Sequence, residues 1–317
     1  MATAMVISLF SGCSNFTAND RHYDYGQKNV KAYADYSKNK HGPDGGLFLD
    51  PYFISLIQNL NGEKVLDVGC GAGPWSIYAA QNGGIVSGLD IQPGMIEAAI
   101  KATEVAGLSD KIRYLVGDAS NLPYVRGSFD RAISICVGCN LPKEIFKKHI
   151  EEIQRTLKAD GVAAIAAPTS LHVVFSDGSR KENEVHKHIQ AVLAELPDNP
   201  SREEIADKLS KLTEVLSATF YVKAGRLTLL TSENEVREGD QIWRKLPKPI
   251  VPNFYYRAES YEKAIKEKGL EYTTYMPHFN SEAERSVYNA SVPAHEKLGP
   301  AYVTNAPFVI FHVKKSA

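Results

Sequence analysis

The sequence predicts an α/β fold: a mostly parallel, doubly wound sheet with helices on both faces and a block inserted late in the chain. Three observations predict it. Short apolar runs alternate with helix-periodic stretches from Glu63 to Ala167. The first run ends in a turn of alternating glycines, Gly69, Gly71 and Gly73. After Phe175 the alternation stops, and a helix-then-strand pattern returns only from Ser260.

Strands are expected at Val65–Val68, Ile85–Leu89, Ile112–Val116, Arg131–Val137 and Val162–Ala167, each a short apolar run. Helices are expected between them. Trp75–Gln81 follows the glycine turn, and Met95–Ala106 has Pro93 near its start, where proline is tolerated. Glu144–Leu157 carries Phe146, Ile150, Ile153 and Leu157 on one face. Ahead of the first strand, Val30–Tyr36 reads as a short helix. Leu47–Leu60 reads as another, with Phe53, Leu56, Ile57 and Leu60 at helical spacing. In the late block, Val185, Ile189, Val192 and Leu196 form one helical stripe and Ile205, Leu209, Leu212 and Leu216 a second. Ser201 and Glu204 spell a capping box at the start of the second helix. Phe220–Val222 and Leu227–Leu230 read as a hairpin, and Pro247, Pro249 and Pro252 end the block. Ser260–Lys268 is then a helix, with strands at Tyr272–Met276 and Phe308–Val313. The expected division is a tail over 1–22, a helical cap over 23–60, a main domain over 61–175 and 258–317, and an inserted lid over 176–257.

Composition narrows the function classes. The chain has 317 residues, 44% of them hydrophobic, so it is long enough for a large core and too apolar to be disordered throughout. Its 36 Lys+Arg balance 37 Asp+Glu. That leaves no long-range field to draw in nucleic acid or an anionic membrane. No apolar run approaches the roughly 20 residues that a membrane-spanning helix needs. Four cysteines, Cys13, Cys70, Cys136 and Cys139, are too few for a disulfide scaffold and point to the cytoplasm. The alternative is export or lipid anchoring through Cys13, since the apolar run Met5–Phe10 and Ser11-Gly12 precede it. Against that, the run is short and has no Lys or Arg before it. Oligomeric state is not legible.

The chemistry concentrates at Asp67-Val68-Gly69-Cys70-Gly71-Ala72-Gly73. Glycines let a backbone turn sharply and let a ligand approach it closely. About 20 residues on, the next strand ends in Asp90, a carboxylate suited to ribose hydroxyls. A nicotinamide or flavin turn would spell Gly-x-Gly-x-x-Gly or Ala, and here that third position is Pro74. Asp67 would also sit badly beside a pyrophosphate. The same acid suits a cation, and S-adenosylmethionine carries a sulfonium, an ammonium and no phosphate.

At these residues the chain resembles the class I S-adenosylmethionine-dependent methyltransferases. Asp67 to Gly73 match their first motif, and Asp90 matches the acid closing their second strand. Val116-Gly117-Asp118-Ala119 is similar to the turn whose acid meets the adenine amine. Leu122-Pro123-Tyr124 and Gly127-Ser128-Phe129-Asp130 are similar to the run into strand four, and Leu157–Gly161 to the turn before strand five. The resemblance implies a Rossmann-like, seven-stranded, mostly parallel sheet whose last strand is antiparallel. It implies a cofactor set of Asp67, Gly69, Cys70, Gly71, Gly73, Asp90, Ile91, Asp118, Ala119, Cys136 and Tyr33, with Ile91 against the adenine ring. Tyr33 and Tyr36 would close over the cofactor, and Cys136 would touch it through its backbone.

Other residues carry less. Cys136-Val137-Gly138-Cys139 spells Cys-x-x-Cys, but it follows a strand and no second pair exists to complete a zinc site, so no metal is expected. His172, just past the fifth strand, stands where ligands of such sheets bind and is the candidate general base. His278 is a weaker one. Phe254, Tyr255 and Tyr256 lie where the chain re-enters the main domain. The expected function is methyl transfer to an O, N or S atom of a small molecule, with no nucleic acid and no stable membrane insertion. The alternatives are a lipid or quinone acceptor at a membrane edge, a silent module that only binds S-adenosylmethionine, and an NAD-dependent oxidoreductase.

Overall fold

The computed structural model describes residues 51–168, 190–210, 218–223, 226–229, 236–245, 250–275, 281–291 and 308–315. The main domain begins with helix α1 (Pro51–Ser55) and strand β1 (Lys64–Val68). Then come α2 (Pro74–Gln81), β2 (Ile85–Asp90), α3 (Pro93–Val105), β3 (Ile112–Val116) and β4 (Phe129–Ile135). A short 3-10 turn (Gly138–Asn140), α4 (Lys143–Thr156) and β5 (Leu157–Pro168) follow. The later block contains α5 (Arg202–Ser210), β6 (Ala218–Lys223), β7 (Arg226–Leu229), β8 (Gln241–Lys245) and β9 (Ile250–Phe254). The chain returns through α6 (Ala258–Glu267), β10 (Leu270–Tyr275), α7 (Glu282–Ser291) and β11 (Phe308–Lys315).

Seven strands form one sheet in the order β10-β11-β5-β4-β1-β2-β3. β1 lies parallel to β2 and β4, β2 to β3, and β4 to β5, while β11 runs antiparallel between β5 and β10. This is the expected Rossmann-like sheet with its antiparallel last strand. β1 is central and buried from Val65 onward, as an interior parallel strand must be. Its period of two divides the core. Leu66 and Val68 face Phe146, Ile150, Ile153, Tyr261, Ile265 and Phe311 on one side of the sheet. Val65 faces Phe53, Ile57, Leu60, Trp75 and Ala79 on the other. The sheet order reverses between β1 and β4, and in such sheets the crevice at that reversal is where ligands bind.

β6 to β9 form a second, antiparallel sheet in the order β7-β6-β8-β9. One face packs Phe220 and Trp243 with Ile205 and Leu209 of α5; the other packs Tyr221, Ile242 and Tyr255. The hairpin expected around Ala224-Gly225 is present as β6 and β7, paired from Phe220↔Leu229 to Lys223↔Arg226. The capping box is formed: Ser201 N–H donates to Glu204 Oε2 at 2.7 Å, and Glu204 N–H to Ser201 Oγ at 3.2 Å. Replacing Ser201 by Ala is expected to lower stability by about 1 kcal/mol. The shift of the urea midpoint checks it.

Four local expectations change. β4 stops at Ile135 rather than Val137, because Cys136 adopts φ +54° and breaks the extended backbone. β5 begins at Leu157, and the expected turn is an irregularity inside it: pairing jumps from Phe129↔Leu157 to Arg131↔Val162. The helix before β1 ends at Ser55, ahead of the left-handed Asn59 and Asn61. Pro252 does not end the block but lies in β9, opposite Trp243. β9 is an edge strand, where a residue without an N–H is tolerated. The helix at Val30–Tyr36, Val185 and Ile189 of the first late stripe, and Leu212 and Leu216 of the second lie outside the described residues.

Candidate cofactor-binding site

The glycine turn joins β1 to α2 at the carboxyl end of the sheet. Gly69 and Cys70 both donate their N–H to Leu89 O, at 2.7 and 2.9 Å, which lashes the turn to the end of β2. Gly69, Gly71 and Gly73 all take positive φ, at +67°, +53° and +83°. Two of them are also closed to a side chain. A Cβ on Gly69 would lie 2.6 Å from Val137 Cγ2, and one on Gly73 would lie 2.5 Å from Tyr114 Oη. Pro74 then opens α2 at a position that needs no N–H donor.

Asp90 closes β2 beside this turn. Gly71 N–H donates to its Oδ2 at 3.0 Å, and Gln92 N–H to its Oδ1 at 2.9 Å. Both carboxylate oxygens are therefore fixed by backbone, and a carboxylate has about four acceptor positions. The next strand end is tied to the same residue, since Gly117 N–H donates to Asp90 O at 2.9 Å. Beyond it, Asp118 Oδ1 accepts the N–H and the O–H of Ser120, both at 2.7 Å, and caps its own turn. Ala119 is buried and Ile91 half-buried.

Asp67 is 3% exposed and accepts Ser76 Oγ–H at 2.6 Å. Burial, and then the charge of Asp90, push its pKa up to about 7. A cation brought to the turn would pull it back down. Burial beside the same two acids pushes the Cys70 thiol well up, so it stays protonated and unreactive at neutral pH.

On the far side of the crevice, Cys136 donates its N–H to Ala166 O at 2.8 Å. Its carbonyl accepts Asn140 Nδ2–H at 2.6 Å and Cys139 Sγ–H at 3.1 Å. The backbone of Cys136 is thus engaged within the protein, and its residue shapes the loop. Cys136 and Cys139 are thiols, not a disulfide. Among the described residues no three His, Cys, Asp or Glu side chains gather as metal ligands.

The structure brings Asp67, Gly69, Cys70, Gly71, Gly73, Asp90, Ile91, Asp118, Ala119 and Cys136 to the carboxyl ends of β1 to β4. Tyr33, Tyr36, His172 and His278 lie outside the described residues. The sequence reading missed Ser76 and Tyr114. A signal existed for Tyr114: Gly88 sits mid-strand in β2, and a Cβ there would meet the Tyr114 ring at 2.5 Å. It also missed Asn140 and Asn253, which meet across 113 positions of sequence.

Residues 65–161 match the model of a family described as a methyltransferase domain. Over this segment the chain is similar to S-adenosylmethionine-dependent methyltransferases. Among its relatives is norajmaline N-methyltransferase of Rauvolfia serpentina, 26% identical over 60% of this chain and 58% of that protein. Another is the sterol 24-C-methyltransferase of Pneumocystis carinii, 35% identical over 36% of this chain and 30% of that protein. The chain therefore spans well under two thirds of either relative. A solved S-adenosylmethionine dependent methyltransferase from Mesorhizobium loti shares the fold of the methyltransferase domain and more, with a TM-score of 0.51 at 16% identity, over 83% of this chain and 96% of that one. Among the described residues no helix is long and apolar enough to cross a membrane.

The residues present fit the cofactor of this domain. The turn takes a left-handed backbone at three glycines, a carboxylate suited to a diol stands beside it, and a buried acid lies at the end of the strand before it.

Proposed function

We propose that the protein transfers a methyl group from S-adenosylmethionine to an O, N or S atom of a small molecule. The observation that carries the reading is Asp90, held by Gly71 N–H and Gln92 N–H at the rim of the glycine turn. When bound, the cofactor supplies an electrophilic methyl carbon on a sulfonium. The protein's own residues then do four things. Asp90 accepts the ribose hydroxyls. Asp118, Ala119 and Ile91 hold the adenine. Asp67 acts by its charge from beneath the turn, since it is too buried to reach far. The loop from Cys136 to Leu141 forms the floor at the methyl end, with the second sheet as a cover that excludes water.

Where the acceptor is a hydroxyl, it must lose a proton, and His172 is the base we assign from its position just past β5. Tyr33 closes the cofactor side in the same reading. The thiols of Cys70, Cys136 and Cys139 suit a cytoplasmic protein. A lipid acceptor is the second reading. It is favoured by the sterol methyltransferase among the relatives.

Isothermal titration with S-adenosylhomocysteine tests the central claim. Micromolar binding supports it; a folded protein that ignores this ligand and binds NADH sinks it. Asp67 provides a second check. Its pKa near 7 means the ligand-free protein loses stability as pH rises from about 4 to 7, because the carboxyl ionises in the unfolded chain while the buried one holds its proton. His149 gives the opposite slope: burial pushes it down to about 4, so stability is lost as pH falls from about 6.5. The Asp67→Asn variant isolates the first effect. At pH 8 it is expected to melt about 5 °C above wild type, with the gap closing toward pH 4. It should also bind S-adenosylmethionine about tenfold more weakly at pH 8, because the charge facing the sulfonium is gone. Melting curves and titrations at the two pH values measure both.

A further inference from the structure

The loop leaving β4 is held from two directions. Within the loop, Cys136 is left-handed at φ +54°, which costs a non-glycine residue about 1–2 kcal/mol. Asn140 steadies it by donating Nδ2–H to the Cys136 carbonyl at 2.6 Å. From the second sheet comes Asn253 of β9, 5% exposed, whose Nδ2–H donates to Asn140 Oδ1 at 2.7 Å. Three residues on, Tyr256 Oη–H donates to Leu141 O at 2.9 Å. Gly138 is pressed from below, since a Cβ there would lie 2.5 Å from Tyr261 Oη.

An amide side chain has two ends of opposite polarity. Asn140 spends its NH₂ on Cys136 and its oxygen on Asn253, so each bond orients the other. The next residue of the loop, Val137, is the one that packs against Gly69 of the cofactor turn. A physical chain thus runs from β9 through Asn253, Asn140 and the Cys136-Val137 peptide to Gly69.

We propose that Asn140 and Asn253 are positioning residues, a latch through which the seating of the second sheet sets the shape of the floor loop and, through Val137, of the cofactor turn. The proposal rests on the methyltransferase reading above for its ligand. A seated cover holds Asn140 in the orientation that clamps Cys136. A displaced cover releases the oxygen of Asn140, and the strained Cys136 conformation loses its support.

The test uses the full chain and two readouts. The first is titration of S-adenosylhomocysteine into wild type, Asn140→Ala, Asn253→Ala and the double variant, with Ser201→Ala as a change in the same block whose hydrogen bonds go to Glu204. Each single change is expected to weaken binding about tenfold, and the double change no more than the larger single one. The second is hydrogen exchange of the Val137–Leu141 amides without ligand, expected to be faster in Asn253→Ala. Asn253→Asp guards against misfolding, because it keeps the side chain's shape. Its carboxylate accepts where the amide donated, so Asn140 must turn its NH₂ away from Cys136 and the same losses follow. Additive effects, unchanged exchange, or an equal loss in Ser201→Ala would overturn the latch. A wild type that binds no S-adenosylhomocysteine overturns the methyltransferase reading instead, and the exchange readout then still decides the latch.

Discussion

Asp90→Ala is expected to weaken S-adenosylmethionine binding by at least about a hundredfold. Hydrogen bonds to a charged group are worth about 1.5–3 kcal/mol each, and a ribose diol makes two. The same change strips the acceptor from Gly71 N–H and Gln92 N–H, so the turn loosens as well as losing its contact. Asp90→Asn separates these effects. It keeps one oxygen for one backbone donor but sets an NH₂ against the other. Its binding should fall less than that of the alanine variant, with a measurable loss of thermal stability. Titration of both variants, alongside their melting curves, checks the order. Equal binding in wild type and Asp90→Ala would remove the carboxylate from the site altogether.

Gly73→Ala is expected to lose about 2–5 kcal/mol of stability. Two costs add. The residue sits at φ +83°, which an L side chain resists by about 1–2 kcal/mol. Its new Cβ would also fall 2.5 Å from Tyr114 Oη and 3.0 Å from Ala99 Cβ. Overpacking of this kind costs about 1–3 kcal/mol. Tyr114→Phe removes the first of the two clashing atoms, along with the hydroxyl pair it makes with Thr103 at 3.0 Å. On a wild-type background that change should destabilise. On the Gly73→Ala background it should restore part of the loss, leaving the φ strain. Urea unfolding of the four proteins in the cycle measures the sign of the coupling, and the absence of any rescue would mean the contact is not the source of the cost.

The parts of this molecule that were legible in the sequence are those whose physics is local. Alternating glycines after an apolar run can serve little but a tight turn, and an acid at the end of the following strand lies beside it whenever the two strands pair. Ser201 and Glu204 announce a helix start because both partners lie within one turn. The illegible parts depend on distant chain. Asn140 and Asn253 look like ordinary loop and strand residues until the second sheet brings them together. β9 was hidden by Pro252, because the rule that proline breaks a strand does not hold at a sheet edge. Gly88 pointed to a close neighbour but could not say that it was Tyr114, which reaches it across a parallel pairing.

The position of β11 has a consequence for how the chain is made. This strand lies between β5 and β10, yet it is translated after both. Until it emerges, the flank of β5 carrying Ala163 to Ala167 lacks the strand that covers it among the described residues. An exposed edge of that kind templates pairing with other chains. Nascent molecules held at this stage on neighbouring ribosomes would present the same sticky flank to one another. The sheet that supports the cofactor turn is thus completed by its last strand, inserted between two that are made before it.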